Sequence, residues 1–211
     1  MDLMEMERSF YAKGCQIIAG VDEVGRGCLA GPVYAAAVIL PQDFYHSEIN
    51  DSKKLTPAKR ENLNDFILEK ALSLKIAWVE VEEIDQINIF HAALKAMKMA
   101  LQGLSKKPDL TLVDGKFPVP FEGPQETLVK GDGRSASIAA ASIIAKVARD
   151  RRMGELEKLF PQFSFSQHKG YGTAVHLKEL RQYGPTPFHR RSFAPVRKQF
   201  NLFGIKEKPR P

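Results

Sequence analysis

The chain has 211 residues of which 44% are apolar, enough to bury the core of one compact domain with at most a small appendage. Lysine and arginine number 31 against 25 acids, and the net charge of +6 favours a polyanionic partner. Cys15 and Cys28 are the only cysteines, with no C-x-x-C and no histidine pair at zinc spacing. That suggests neither a disulfide framework nor a zinc site, and it suits a reducing compartment.

The opening MDLMEMERSF is acidic and polar where a secretory leader needs a basic start and an apolar centre. The longest apolar run, VYAAAVIL over 33–40, is too short to span a bilayer. A soluble, cytoplasmic protein without membrane contact is therefore expected. CQIIAGVD and PVYAAAVIL read as two buried strands, paired like a hairpin across a glycine-rich stretch, because both are short, apolar and bounded by Gly or Pro. Thr56 and Pro57 then open a helix as N-cap and first helical residue, with Leu63, Phe66, Ile67 and Leu74 at helical spacing. KIAWVEV over 75–81 alternates like a half-exposed strand.

A second helix is predicted over 87–104, on the stripe Ile89, Ala93, Ala96, Met97, Ala100 and Leu101. DLTLVDG over 109–115 is a short strand, FPVPFEGPQ a loop, TLVK a further short strand, and 135–160 a long helix whose first half must be buried. Beyond Phe160 the chain turns rich in Gly, Pro, aromatic and basic residues. We read residues 1–160 as an α/β catalytic domain and 161–211 as a small, basic, short-helical extension.

Acids recur where an element ends and glycine follows: Asp22 and Glu23 before Gly25, Asp114 before Gly115, and Asp132 between Gly131 and Gly133. Neighbouring strands end near one another, so such acids can converge, and bare carboxylates at close range repel unless a cation compensates them. Magnesium or manganese suits oxygen ligands, and two such ions clamp the attacking and leaving oxygens of a phosphoryl displacement. Taken singly, Asp114 and Asp132 also read as turn residues, and Asp132 as a cap for the helix that follows. Gly25-x-Gly27-x-x-x-Gly31 lacks the spacing of a dinucleotide-binding turn, and a strand follows it where that motif needs a helix. Its glycines instead let backbone amides approach a sugar-phosphate chain, with Arg26 placed for a phosphate or a neighbouring acid.

The segments GVDEVGRGCLAGPVYAAAVIL, NDSKKLT, EIDQINI, LVDG, VKGDGRSASIAAASIIAKVARD, FPQF, QHKGYGT and HRRSF, spread over 18–193, resemble in content and order the ribonuclease HII, or type II ribonuclease H, family. The resemblance implies an RNase H-like α/β fold, a five-stranded mixed sheet flanked by helices, with a small helical C-terminal extension. It implies an endoribonuclease that uses two Mn2+ or Mg2+ ions to hydrolyse the RNA strand of RNA/DNA hybrids. Cutting 5′ to a ribonucleotide at an RNA-DNA junction, or at one embedded in duplex DNA, would leave 5′-phosphomonoesters and serve DNA replication and repair. Asp22 would bridge both ions, Glu23 and Asp114 would hold one, and Asp132 would help hold the other with the attacking water. Gly25, Arg26 and Gly27 would touch the ribonucleotide 2′-hydroxyl and its phosphate, and Tyr171 would pack on the following deoxyribose. Cys28 stands where many members have proline, and Gly133 where serine is frequent, which implies at most a change in loop stiffness.

Among the basic residues, Lys53, Lys54, Lys169 and Arg190 sit in these segments and are expected to contact phosphates. Lys130, Arg134, Lys146, Arg191, Arg197 and Lys198 are further candidates. His168, His176 and His189 lack metal spacing and read as structural or phosphate-proximal, and Phe160, Phe163 and Phe165 as core of the small region. A monomer acting on RNA/DNA hybrid or ribonucleotide-containing DNA is expected. The alternatives are another metal-dependent nuclease on the same scaffold or a non-catalytic nucleic-acid-binding module.

Overall fold

A computed structural model describes residues 3–46, 48–49 and 55–203 of the protein. Lys53 and Lys54 lie outside the described residues. The chain forms two compact units, each discontinuous in sequence: 3–24, the described part of 34–78 and 94–148 make the first, and 25–33, 79–93 and 149–203 the second.

The first unit is built on a five-stranded mixed sheet of β1 (Ile18–Val24), β2 (Val33–Ile39), β3 (Ser73–Val79), β4 (Leu110–Asp114) and β5 (Gln125–Leu128), in the order β3-β2-β1-β4-β5. β1 pairs antiparallel with β2, from Ala19 opposite Ile39 to Val24 opposite Tyr34, as the two apolar runs predict. Its other edge pairs parallel with β4, Ile18 beside Leu110 and Val21 beside Val113. β4 in turn pairs parallel with β5, which brings Asp114 beside Leu128. β2 is buried at every residue, which explains why its sequence does not alternate.

Helices α1 (Glu5–Tyr11) and α2 (Pro57–Lys70) belong to this unit, as does the first half of α4 (Ala136–Leu159). Thr56 caps α2 as expected, its hydroxyl accepting the Lys59 amide at 3.3 Å. Leu63 and Ile67 of α2 share one apolar cluster with Ala36 and Val38 of β2, with Leu40 just past its end, and with α4 residues including Ala139 to Ala141, Ile143 and Ile144. A second cluster joins Ile18, Leu110, Leu112, Leu128 and Ile138, with Met6 and Phe10 of α1 packed against it. The start of α4 lies so close to β1 that a Cβ on Gly20 would overlap the backbone of Ser137 and Ile138. Glycine at position 20 is what allows this helix to meet the sheet.

α3 (Val81–Gln102) breaks at Asn88, where φ is 64° and the side-chain Oδ1 accepts the amides of Phe90 and His91 at 3.0 and 3.2 Å. Asn88 thus caps the segment that the apolar stripe predicted from residue 87, and a preceding helical turn had no such stripe to announce it. Strand β5 begins at Gln125, two residues before the predicted TLVK. The Gln125 amide closes the preceding loop through Val119 N, Val119 O and Phe121 O at 2.8 to 2.9 Å.

The second unit holds the glycine stretch, the end of α4, and the short helices α5 (Phe165–His168), α6 (Ala174–Tyr183) and α7 (Ala194–Leu202). Its core contains Leu29, Ala30, Met153, Leu156, Phe163, Phe165, Leu180, Val196 and Phe200, so Phe163 and Phe165 are core residues as predicted. Sequence reading drew a boundary at residue 160. Segments 25–33 and 79–93 join this unit through contacts remote in sequence, which a linear division cannot represent. No helix among the described residues is long and apolar enough to cross a membrane.

Candidate functional site

Asp22 near the end of β1 and Asp114 at the end of β4 become neighbours because the parallel register sets Val21 beside Val113. Glu23 completes a group of three whose ligand oxygens all lie within 4.8 Å of one another. Asp22 is buried and Glu23 and Asp114 half-buried. Burial pushes the Asp22 carboxyl well above the ordinary carboxylate range, and the charges of Glu23 and then Asp114 push it the same way. A Ser142 hydrogen bond and the Glu23 amide, 2.7 Å from Asp22 Oδ1, act in the opposite sense without cancelling the rise.

Asp132 lies outside that group of three. It is buried in a single 3-10 turn, Gly131–Gly133, and the amide of Gly131 donates to Asp114 Oδ1 at 2.7 Å. A Cβ on Gly131 would meet Ile138 Cδ1 at 2.6 Å and Asp114 Oδ1 at 3.2 Å, so glycine permits this close approach. The start of α4 is capped by other groups: Ser135 Oγ accepts the Ile138 amide at 3.2 Å, and Glu7 Oε1 accepts Ser135 Oγ at 2.6 Å and the Ser137 amide at 2.9 Å. Ser135 and Glu7 thus take the amides of Ile138 and Ser137 at the start of this helix.

All-oxygen ligands at close range, with one carboxylate raised by burial and by its acidic neighbours, fit a hard divalent cation. A bound cation would oppose that rise, since a positive charge favours the ionised acids.

In the second unit, Arg26 and Gly27 are exposed and Gly25 is buried. Gly25 has φ of +97°, and a Cβ there would overlap Nε of Arg149. Two fully buried arginines hold this loop. Arg190 donates from Nε and Nη2 to Gly31 O at 3.0 and 2.8 Å, and from Nη1 to Arg26 O at 2.9 Å. Arg149 donates to Pro32 O, Ala30 O and Lys169 O at 3.1, 3.1 and 2.8 Å. Arg190 was expected to touch a phosphate. With no exposed surface and its guanidinium engaged on backbone carbonyls, it supports the loop instead. Burial and the nearby Arg149 charge lower its pKa to about 9, Cys28, Asp85 and Tyr171 opposing this.

Lys169 is partly exposed with φ of 51°, and Tyr171 is 39% exposed and lies opposite Cys28 in an isolated backbone bridge. The Tyr171 carbonyl accepts from His176 Nδ1 at 2.9 Å. His176 Nε2 meets His189 Nε2 at 3.0 Å, and the Thr186 amide donates to His189 Nδ1 at 3.0 Å. These bonds fix both rings as neutral tautomers: His189 donates to His176, which donates to Tyr171. Burial pushes His176 down to about 4 and His189 to about 3. His168, also buried, reaches Glu179 at 3.0 Å, so all three histidines are structural.

Arg149, Glu7 and Asp85 escaped sequence reading. Asp85 accepts the amides of Arg191 and Ser192, both at 2.9 Å, as well as the Ser192 hydroxyl. Arg191 lies over the Phe200 ring at 4.5 Å, while Lys130, Arg134, Arg197 and Lys198 are exposed and Lys146 is half-buried.

The sheet order with a carboxylate cluster at the ends of β1 and β4 defines an α/β protein of the RNase H fold. Ribonuclease H2 from Pyrococcus horikoshii OT3 superposes with a TM-score of 0.74 at 26% identity, over 90% of this chain and 100% of that one. An RNase HIII solved in complex with Mn2+ gives 0.65 over 90% of this chain and 71% of that one, a likeness of fold alone at 16% identity. The chain belongs to the ribonuclease HII family, whose model matches residues 19–196. A ribonuclease HII of Geobacillus thermodenitrificans is 55% identical over 95% of this chain and 77% of its own length. One of Lactobacillus delbrueckii subsp. bulgaricus is 53% identical over 93% and 76%.

Proposed function

We propose that this protein is an endoribonuclease that hydrolyses the RNA strand of RNA/DNA hybrids, cutting on the 5′ side of a ribonucleotide at an RNA-DNA junction or within duplex DNA. The observation that carries this reading is the convergence of Asp22, Glu23 and Asp114 within 4.8 Å in a chain of this family. Water oxygen adds to phosphorus and the O3′ of the preceding nucleotide leaves, so the ribonucleotide keeps a 5′-phosphate. Two Mg2+ or Mn2+ ions, when bound, supply a more acidic water and charge neutralisation at the phosphate. Asp22, Glu23 and Asp114 would hold the ions, and Asp132 would help hold one of them together with the attacking water. The Gly131 bond to Asp114 supports the Asp132 assignment by tying the turn that carries it to β4.

Arg26, exposed on a loop whose carbonyls are anchored inward, is assigned to the 2′-hydroxyl and adjacent phosphate, the group that distinguishes ribose from deoxyribose. Gly25 and Gly27 shape that loop, and a Cβ on Gly27 would meet nothing within 4 Å, which leaves room for a sugar-phosphate chain. Tyr171 is assigned to the following deoxyribose, and Lys169, Lys53 and Lys54 to phosphates. The protein would act as a cytoplasmic monomer in DNA replication and repair.

The test is cleavage of a duplex carrying one ribonucleotide, with Mn2+ or Mg2+, and mapping of the cut. Asp114→Asn should abolish cleavage while retaining duplex affinity, and Arg26→Ala should weaken binding of the ribonucleotide duplex relative to its all-DNA counterpart. Unchanged cleavage by Asp114→Asn, or a cut on the 3′ side, overturns the reading.

A further inference from the structure

We propose that Arg149 is a positioning residue that joins the two segments assigned to the substrate, the glycine loop 25–33 and the turn 169–171, into one mechanical piece. This rests on the reading that Arg26 and Tyr171 touch the nucleic acid. Arg149 is fully buried, and its planar head group spans both segments: Nε and Nη2 take Pro32 O and Ala30 O of the loop, and Nη1 takes Lys169 O of the turn. Its hydrogen bonds go to backbone carbonyls, so a change of side chain in the loop does not remove the acceptors.

A buried charged donor left without its acceptor is more costly than a neutral one. Any slip of the loop against the turn would strand one Arg149 N–H, and the slip is thereby opposed. Independent contacts run across the same junction. Leu29 N donates to Gly170 O at 2.7 Å, and Cys28 lies opposite Tyr171. The space for the guanidinium is left by glycine, since a Cβ on Gly25 would overlap it. Lysine cannot replace this fork, because its three donors spread from a single nitrogen and cannot reach three carbonyls set around a planar group.

A double-variant cycle tests the proposal, with kcat/KM measured on a duplex carrying one ribonucleotide. With Arg149 in place, Arg26→Ala and Tyr171→Ala together should lose less than the product of their separate losses, because each contact depends on the other's position. Arg149→Lys should lower kcat/KM about 10²-fold, as expected for a misplacement of about 1 Å. In that background the losses from Arg26→Ala and Tyr171→Ala should multiply, while the thermal-midpoint change caused by Arg149→Lys stays the same in every background. Losses that already multiply with Arg149 present overturn the proposal, and this arm decides the matter even where Arg149→Lys does not fold. An Arg149→Lys enzyme with unaltered kcat/KM also overturns it. If neither Arg26→Ala nor Tyr171→Ala alters cleavage, the assignment of substrate contacts has failed, and this inference falls with it.

Discussion

The amide of Gly131 donates to Asp114 Oδ1 across 2.7 Å, fastening the last residue of β4 to the turn that carries Asp132. That bond couples two acids 18 positions apart, because the residue next to Asp132 is anchored on the carboxylate of Asp114.

Asp22 lies among like charges, and its folded pKa stands above that of the unfolded chain. Above the unfolded value, holding this acid ionised in the fold costs stability, and the penalty grows until pH reaches the folded value. Asp22→Asn should therefore raise the thermal midpoint in chelator at pH 7, because the amide carries no charge to be desolvated or repelled. A thermal melt of both proteins checks this, and a lower midpoint for the variant contradicts it.

Divalent ions should stabilise the wild type by relieving the same repulsion. At a free concentration about 100-fold above Kd the gain is about 2.7 kcal/mol for one site. Manganese added to a melt should raise the midpoint of the wild type and leave that of Asp114→Asn nearly unmoved. Equal gains for the two proteins would place the ion elsewhere.

His176 and His189 are held near 4 and 3 by burial, below their ordinary 6.5. Below pH 6.5 the unfolded chain takes up protons that the folded chain refuses, so this contribution is complete above that pH and lost as pH falls through it toward the folded values. The thermal midpoint should drop between pH 7 and 5, and His176→Gln should drop less steeply. Identical slopes would contradict the assignment of neutral rings.

Gly20→Ala would drive a methyl into the backbone of Ser137 and Ile138, and a helix backbone cannot yield as a flexible side chain does. Overpacking typically costs about 1–3 kcal/mol, and a backbone that cannot yield puts this site at the upper end of that range. Urea denaturation should show the loss, and a variant as stable as the wild type would refute the close approach.

The parts of the fold readable in the sequence are those fixed by local signals. The β1 and β2 runs, the Thr56-Pro57 start of α2 and the acid at the end of β4 each carry their own pattern of burial or capping. Glu7 was not readable, because α1 is short and its role is to accept bonds from residues some 130 positions away. Arg149 left a signal that went unread: Ala145, Arg149, Met153 and Leu156 lie along one buried helical line of α4, where a charge is out of place unless something receives it. Arg190 shows the converse error, since a basic residue in a basic segment looked like a surface contact while the fold placed it inside. The acids themselves were conspicuous, but their meeting depends on the β1 and β4 register, which no local pattern encodes.

The family model begins at residue 19, yet the carboxylate that closes the start of α4 comes from position 7. A shortened recombinant version trimmed to the family boundaries would lose Glu7 and the apolar cover of Met6 and Phe10 together. α1 therefore supports the start of α4 from outside those boundaries, even though it contributes no acid to the cluster.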